Sequence, residues 1–144
     1  MDFISNDLIA DEQVAYKATL HWVIFAVPMA LLFGAWLFSG ELGTWFLIAA
    51  VITGALSYLK YISSEFAVTN KRVIVKMGFI RRVSVEILLS KIEAIEIHQG
   101  VIGRILNYGT VVVRGTGGAV NSLEQIAAPL EFRKKTQEQI ERSN

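Results

Sequence analysis

The positive charge of this 144-residue chain is concentrated in one stretch, "TNKRVIVKMGFIRR", at residues 69–82. Lysine and arginine side chains pair with phosphates and carboxylates, so this stretch is the part of the sequence best suited to hold an anionic partner. Between residues 60 and 91, seven cations accompany only two glutamates, whereas the whole chain carries a formal net charge of +1. Charge asymmetry of this kind informs on partners and membrane topology rather than on fold. The candidates for contact with lipid headgroups or the membrane surface are Lys60, Lys71, Arg72, Lys76, Arg81 and Arg82.

The other reactive residue types do not form a catalytic or metal-binding pattern. There are no cysteines, which excludes disulfides, thiolate metal sites and a thiol nucleophile. The two histidines, His21 and His98, lack partners at metal-ligand spacing, and no Ser-His-Asp order or apolar carboxylate pair can be assembled. The glycine-rich "RGTGG" lacks the lysine and helix of a phosphate loop and is interpreted as a hairpin tip. We therefore predict a protein that is not an enzyme and has no catalytic residues, metal, cofactor or small-molecule substrate.

The elements that position the cationic stretch begin with two uncharged apolar runs. These are "LHWVIFAVPMALLFGAWLF" at 20–38 and "LGTWFLIAAVITGALSYL" at 42–59, both apolar on every side of a helix. As a helix each run is about 28 Å long, close to the roughly 30 Å hydrocarbon core of a bilayer. The alternative, a pair of buried core helices, requires more surrounding protein than this chain provides. The sequence therefore predicts a two-helix transmembrane hairpin.

Small residues indicate that the two helices pack closely. Ala30 and Gly34 lie four residues apart on the first helix, and Ala50 and Gly54 do so on the second. Such faces allow close approach in membranes, whether within one chain or between chains. Pro28 is expected to kink the first helix.

The cations also predict the orientation of the hairpin. The turn between the apolar runs has no lysine or arginine, whereas the segment after the second run is rich in them, which places that side in the cytoplasm. Two spans return the chain to its starting side, so the acidic lead-in at 1–19 lies there as well. Lys60 and Tyr61 are interpreted as an interfacial anchor. We predict an inner-membrane protein with two spans and cytoplasmic N- and C-termini.

Beyond residue 63 the hydrophobic period changes from helical to alternating. "RVSVEIL" alternates cleanly, and in "KIEAIEIH" Ala94 interrupts the phase as a β-bulge would. The final "PLEFRKKTQEQIER" predicts an amphipathic helix with Pro129 in its first turn and a stripe of Phe132, Thr136 and Ile140. The fold class is thus a membrane-anchored α+β protein, in which a bent antiparallel sheet or β-barrel is capped by a C-terminal helix.

Several short motifs resemble the bacterial pleckstrin-homology (PH) domains that are tethered to membranes. They are "TNKR" after a short strand, "KMGFIRR" at the next hairpin, "SKIEAIEI" and, most specifically, "GRILNYGTVVV". The paired apolar runs and the acidic "LIADEQVAYKATLHW" are similar to that family's arrangement. The resemblance covers essentially the whole chain and implies a PH-like fold of about seven strands capped by a C-terminal helix. We divide the chain into an acidic cytoplasmic lead-in (1–19), a transmembrane helical hairpin (20–62) and a PH-like domain (63–144).

The segment "GRILNYGT" has two interpretations. It is either a functional loop with Arg104 as its charged group, or a structural element in which residues 101–106 form a short helical turn that plugs the barrel. The structural interpretation is favoured. In it, Gly103 and Gly109 meet demands of the backbone and Arg104 binds carbonyl groups or glutamates.

These observations favour a non-catalytic membrane protein that presents a cytoplasmic PH-like domain as a binding or assembly module for proteins or for itself. Tethering raises local concentration, so weak contacts between neighbouring domains become effective. One alternative is a module that responds to anionic lipid through the basic segment 60–91. Another is an accessory subunit of a transporter or an envelope-stress system. The expected partners are membrane lipids and further copies or another membrane protein, and nucleic acid is excluded because aromatic side chains do not alternate with the cations.

Overall fold

A computed structural model describes residues 4–144 of the protein, so residues 1–3 of the predicted lead-in lie outside the described part. Within that part the alternating segments form strands, as their two-residue period requires. The strands are β1 (Val14–Ala18), β2 (Glu65–Thr69), β3 (Arg72–Met77), β4 (Val83–Leu88), β5 (Ile92–His98), β6 (Tyr108–Gly115) and β7 (Val120–Ala127). The α-helices are α1 (Ala26–Leu37), α2 (Glu41–Ser63), α3 (Val101–Leu106) and α4 (Pro129–Ser143).

The strands form two antiparallel sheets that join along one side. Their orders are β1-β2-β3-β4 and β5-β6-β7. The chain just after β1 pairs with β7, because Leu20 bridges Ile126 and the N–H of His21 donates to the carbonyl of Gln125 at 2.7 Å. The register of β5 against β6 shifts between Ile92 and Ala94, which confirms the predicted bulge. The result is a bent, partly open barrel whose sheets end at the edge strands β4 and β5.

The inward-facing residues of both sheets form one core, and α4 covers it. Phe132 and Thr136 of α4 are fully buried, which confirms the predicted apolar stripe, and Ile140 packs against the same core. The Tyr16 ring of β1 meets the Phe132 ring edge-on, with the ring centroids 6.4 Å apart. The fully buried side chains of the core include Phe66, Val68, Val73, Val75, Val111, Val113, Leu123 and Ile126. The predicted antiparallel sheet capped by a C-terminal helix is confirmed.

The first strand comes from the acidic lead-in, where the sequence had predicted no strand. β1 pairs with β2 in antiparallel register, with Ala18 opposite Phe66. The two strands are neighbours in the sheet although the whole helical hairpin lies between them in sequence. The helical hairpin is therefore inserted between the first two strands of the barrel, and its two connections leave and return side by side.

The two apolar runs form helices of unequal length. α2 has 23 residues and is the one helix among residues 4–144 that is long and apolar enough to cross a membrane. The first run is shorter than predicted, because its first residues pair with β7 and a 3-10 turn follows at Trp22–Phe25 before α1 begins. The helix over Trp22–Leu37 spans about 26 Å from the rise of its two parts.

The α1–α2 contact lies within one chain and is centred on Pro28. This proline was expected to kink the first helix, and it stands in the first turn of α1, where its ring is tolerated. Proline has no N–H, so it cannot donate to the carbonyl of Ile24 four residues earlier. The Ser57 hydroxyl of α2 donates to that carbonyl at 3.2 Å instead. Gly54 faces Pro28, and Gly34 of α1 faces the Phe46 ring, so small residues of both helices permit the close approach.

Candidate functional site

The fold divides the cationic stretch between opposite ends of the barrel. β3 spans about 17 Å from its first residue to its last, so Arg72 and Met77 lie at different ends. We call the end that carries α1 and α2 the helix-bearing end, and the opposite end the far end. Strand pairing assigns residues 18–22, 62–65, 76–84, 98–108 and 126–128 to the helix-bearing end, and residues 11–14, 69–72, 88–92 and 115–120 to the far end.

Arg72 is part of a buried ion-pair network. Its Nε and Nη2 donate to Oε1 and Oε2 of Glu12 at 2.9 and 3.0 Å, in a bidentate arrangement. Its Nη1 pairs with the Glu86 carboxylate, and Nη2 also donates to the carbonyl of Asp7 at 2.9 Å. The side chains of Arg72 and Glu12 are 8% and 0% exposed. Arg72 therefore departs from the predicted set of lipid-contacting cations, because its guanidinium joins the N-terminal segment to β3 and β4.

Glu12 is ionised within this network. Burial raises the pKa of its carboxyl, but the hydrogen bonds from Arg72, the Ile9 N–H at 2.8 Å and the Thr69 hydroxyl at 2.7 Å together hold the pKa below its usual value. Four donor groups from these three residues surround the buried carboxylate and compensate for the lost water. The network therefore has a structural role, because it stabilises the packing of the lead-in against the sheet.

The two lysines of the stretch are also engaged. Lys71 lies at the far end, where its Nζ donates to the carbonyl of Ala10 at 2.8 Å. Lys76 pairs with the carboxylate of Asp7, and the hydrogen bond from Lys76 lowers the pKa of Asp7. Lys76 belongs to the helix-bearing end, whereas Lys71 is separated from it by the length of β3.

The β3–β4 connection forms an exposed tip at the helix-bearing end. Ile80 is 95% exposed and Phe79 60%, and Arg81 and Arg82 follow them directly. Gly78 has φ +97°, and a Cβ there would lie 2.0 Å from the Arg81 carbonyl, so the turn requires glycine. The sequence predicted the two arginines but missed the two apolar residues beside them. We call residues 79–82 the hairpin tip.

A cleft of about 540 Å³ separates the hairpin tip from the end of α2. Its apolar lining includes Ile62 and Met77, and its polar lining includes Ser63 and Arg82. The cleft therefore opens where α2 meets the barrel, and the cations that line it, Lys76 and Arg82, both belong to the β3–β4 hairpin. Lys60, on the last turn of α2, is exposed.

A second protrusion at the helix-bearing end is α3, and the structure corrects two predictions about it. The predicted short helix is present, but it does not plug the barrel, because Val101 and Ile105 are each 76% exposed and Ile102 is also exposed. Within residues 4–144 the Arg104 side chain has no hydrogen bond or ion pair, so its predicted binding to carbonyls or glutamates is wrong. The apolar face of α3 is left without cover.

The base of α3 is tightly packed against the start of the helical hairpin. The ring centroids of His21 and Tyr108 are 5.2 Å apart, and the side-chain amide of Gln99 donates to the Tyr108 carbonyl at 3.1 Å. A Cβ on Gly103 would lie 2.6 Å from that carbonyl, and one on Gly109 would lie 2.6 Å from Cγ of Gln99. Gly103 and Gly109 thus allow the chain on either side of α3 to pack closely. The contact of Tyr108 with His21 fixes α3 beside the start of the helical hairpin.

The histidines and carboxylates make ordinary structural contacts. His21 accepts a hydrogen bond from the Val23 N–H at 3.2 Å, and Glu96 pairs with Arg114 across β5 and β6 at 2.7 Å. Among residues 4–144 no three His, Asp or Glu side chains are grouped so as to hold a metal ion. The chemistry that the helix-bearing end offers is therefore the binding of apolar and anionic groups.

Comparison with known protein families identifies the barrel. The family model of the bacterial PH domain matches residues 19–143. The chain belongs to the bacterial PH-domain family. The match begins directly after β1 and includes the helical hairpin, so the resemblance inferred from "GRILNYGTVVV" is confirmed. A PH domain indicates a module that binds protein or lipid. No match was found among curated proteins or among solved structures.

Proposed function

We propose that this PH-domain protein is a non-catalytic binding module anchored in the cytoplasmic membrane by its helical hairpin. The barrel lies on the cytoplasmic surface, where it binds membrane-associated proteins or further copies of itself. In this proposal the lead-in (1–19) and the PH-like domain (63–144) share the cytoplasmic side, and the hairpin (20–62) enters the lipid.

The observation that carries this proposal is the apolar surface of the helical hairpin. Only 6% of the apolar window of α2 is buried within the protein. Large side chains are exposed on the faces of both helices that are turned away from their mutual contact, including Phe33, Trp36, Trp45, Leu47, Val51 and Leu56. An exposed apolar surface of this extent marks contact with a membrane or with another protein, and its length favours a membrane.

The shorter first helix fits the same arrangement. α1 packs along α2, and together with the turn Trp22–Phe25 it reaches nearly as far as a hydrocarbon core requires. Thinning of the bilayer accommodates a short hydrophobic segment at modest cost. The two helices therefore enter and leave the lipid as one unit.

The orientation is supported by the placement of the cations. Lys60, Arg81 and Arg82 lie at the helix-bearing end, next to where the helices would leave the lipid, whereas the turn 38–41 has no lysine or arginine. The positive-inside rule places the helix-bearing end, and with it both termini, in the cytoplasm.

Two free strand edges support a binding role for the barrel. Within residues 4–144, β4 pairs only with β3 and β5 only with β6, so each has one edge without a strand beside it. An extended segment of a partner can add to such an edge through backbone hydrogen bonds. Anchoring in the membrane raises the local concentration of these edges and makes weak pairing effective.

The orientation is tested by labelling introduced cysteines, since the natural chain has none. Ser39→Cys lies in the turn between the helices, and Ser90→Cys lies at the far end of the barrel, and both positions are exposed. In intact spheroplasts a membrane-impermeant maleimide should label only S39C, and S90C should react only after lysis. Labelling of S90C in intact spheroplasts, or release of the chain by alkaline carbonate, would overturn the proposal.

The binding role is tested separately by cross-linking the full-length protein in native membranes, followed by mass spectrometry of the adducts. We expect adducts with a second membrane protein or a ladder of homo-oligomers. A chain that stays uncross-linked while a known oligomer in the same membranes is captured would contradict the binding role without affecting the orientation.

A further inference from the structure

We propose that the free edge of β4 binds an extended cytoplasmic segment of a second membrane protein, at the point where that segment is about to enter the lipid. This inference deepens the proposed function and rests on it, because it selects one of the two free edges and specifies the partner. The partner segment runs toward the membrane and carries a basic residue followed, at the spacing of Glu86 and Arg82, by an acidic one.

The edge of β4 is more open to pairing than the edge of β5. The register of β4 against β3 is continuous over the whole of β4, which contains no proline or lysine. Val83 and Leu88, at its two ends, are 48% and 53% exposed. In β5, by contrast, the bulge between Ile92 and Ala94 interrupts the ladder, and bulges protect edge strands from further pairing. The N–H and C=O groups on the outer side of β4 are therefore the better template for another strand.

The direction of β4 determines which kind of segment fits it. Neighbouring strands of this sheet are antiparallel, so β2 and β4 both run from the helix-bearing end to the far end. β1 is antiparallel to β2, runs toward the helix-bearing end and reaches the helical turn at Trp22 after three residues. A segment antiparallel to β4 runs the same way as β1. The segment that fits is thus the stretch of a membrane protein that directly precedes a membrane span.

A second copy of this chain does not fit the edge of β4. Copies anchored in one membrane all turn the helix-bearing end to the lipid, so their β4 strands run in the same direction. A two-fold axis along the membrane normal would place each residue of β4 near its own equivalent. Like charges would then face each other across the pair, which is destabilising. The occupant is therefore a different protein.

The charges of β4 specify the side chains of that partner. Val85 and Ile87 pack against the core. The alternate residues, Arg82, Ser84 and Glu86, therefore lie on the outer face and are exposed. The Glu86 side chain remains 43% exposed within the ion-pair network. Opposite charges across two strands stabilise pairing, so a basic residue of the partner lies opposite Glu86 and an acidic residue follows opposite Arg82.

The cleft beside α2 receives the end of the partner segment. Val83 and Ser84 line this cleft together with Arg82, so a strand paired with β4 leads directly to it. Ile62 and Met77 provide an apolar wall. The acidic side chain of the partner meets Arg82 at the cleft, and the apolar wall accommodates the residue that follows before the partner enters the lipid.

The experiment uses a designed single-span probe and the full-length protein, reconstituted together in liposomes of phosphatidylcholine. The probe has the segment Lys-Val-Thr-Val-Glu before a polyleucine helix, joined by a spacer as long as that between β1 and Trp22. A control probe has its Lys and Glu exchanged. Energy transfer is measured from a donor on the probe to an acceptor on Thr116→Cys, which is exposed and lies at the far end, away from β4. We expect tighter association for the Lys-Val-Thr-Val-Glu probe, and equal association of the two probes would overturn the inference.

Reversal of one charge tests the register. R82E should weaken association with the Lys-Val-Thr-Val-Glu probe about fivefold, because a pair of opposite charges becomes a pair of like charges. A probe with Lys-Val-Thr-Val-Lys should restore association with R82E, which a misfolded variant could not do. R81E is the matched control, since Arg81 is adjacent and also exposed, and it should leave association unchanged. Loss of association in R82E without rescue would overturn the proposed pairing.

Hydrogen exchange identifies the edge that is used. With the probe bound, backbone amides of residues 83–88 should exchange more slowly, and those of residues 92–98 should be unchanged. Protection of 92–98 in place of 83–88 would overturn the choice of β4. The proposed function is judged independently by cross-linking in native membranes, so a captured partner together with an unprotected β4 would overturn this inference alone.

Discussion

The two ends of the stretch "TNKRVIVKMGFIRR" contain the same residue type in opposite roles. Arg72 is buried at one end, with its guanidinium bonded to Glu12, Glu86 and a backbone carbonyl. Arg81 and Arg82, at the other end, are exposed beside apolar residues. The difference shows that a cationic cluster in sequence is not a cationic patch in space, because a single strand carries its two ends to opposite sides of the barrel.

Removing Arg72 is the strongest way to test this difference. Arg72→Ala leaves the fully buried Glu12 carboxylate without its partner, which should lower the free energy of unfolding by about 3–5 kcal/mol. Thermal unfolding of the full-length protein in detergent micelles measures the loss. Arg81→Ala is the matched control and should change stability by less than about 0.5 kcal/mol, as an exposed substitution does. Equal losses of unfolding free energy in Arg72→Ala and Arg81→Ala would show that the buried and the exposed arginine contribute equally to stability.

Acidification tests the same network without mutation. Because the folded-state pKa of Glu12 is depressed, its contribution to stability is fully present above the usual carboxyl value of 4.5 and is lost as pH falls through the lower folded-state pKa. We expect the thermal midpoint to fall below pH 4.5, and to fall less steeply in Glu12→Gln. An identical pH profile for the two proteins would show that Glu12 is not the responsible group.

The stability of the helix-bearing end depends on close packing rather than on ion pairs, and a substitution at Gly109 tests this. A Cβ at Gly109 would lie 2.9 Å from the His98 carbonyl as well as near Gln99, so Gly109→Ala should destabilise by about 1–3 kcal/mol through overpacking. At Gly100 a Cβ meets open space, so Gly100→Ala should be close to neutral. The thermal midpoints of the two variants provide the comparison, and a larger loss for Gly100→Ala would contradict it.

The smallest expected effect concerns the hydroxyl that replaces the N–H missing at Pro28. Ser57→Ala removes the hydroxyl that donates to the Ile24 carbonyl, and in the proposed membrane hairpin such a hydrogen bond between helices contributes about 1 kcal/mol. Thr53→Ala is the control, because its hydroxyl bonds to carbonyls of its own helix. The measurement is the midpoint of unfolding in micelles, and Pro28→Ala should cancel the difference between the two variants by restoring the N–H.

Sequence patterns predict the fold correctly where the structure of an element depends on its own residues. The alternation in "RVSVEIL", the bulge at Ala94 and the stripe on α4 all depend on local periodicity, and the structure confirms them. Sequence patterns are less informative where the decisive partner is distant. Neither the pairing of Arg72 with Glu12 nor the strand β1 is visible locally, since both depend on contacts across the inserted helical hairpin.

The candidate site shows the same limit. Arg81 and Arg82 could be selected from charge, but the exposure of Ile80 and of the α3 face follows from how the barrel closes. In a short connection, the type of an apolar residue does not indicate whether its side chain is buried in the core or exposed. The alternation rule assigns faces within strands, and it does not extend to the connections between them.

The insertion of the helical hairpin between β1 and β2 limits how the barrel can move. Three residues separate β1 from the helical turn at Trp22, and only Ser64 separates α2 from β2. Two such short connections, side by side, prevent the barrel from swivelling as a domain on one flexible tether does. A partner that rotates the barrel must also tilt the helices. The barrel and the helical hairpin should therefore move together as one rigid body.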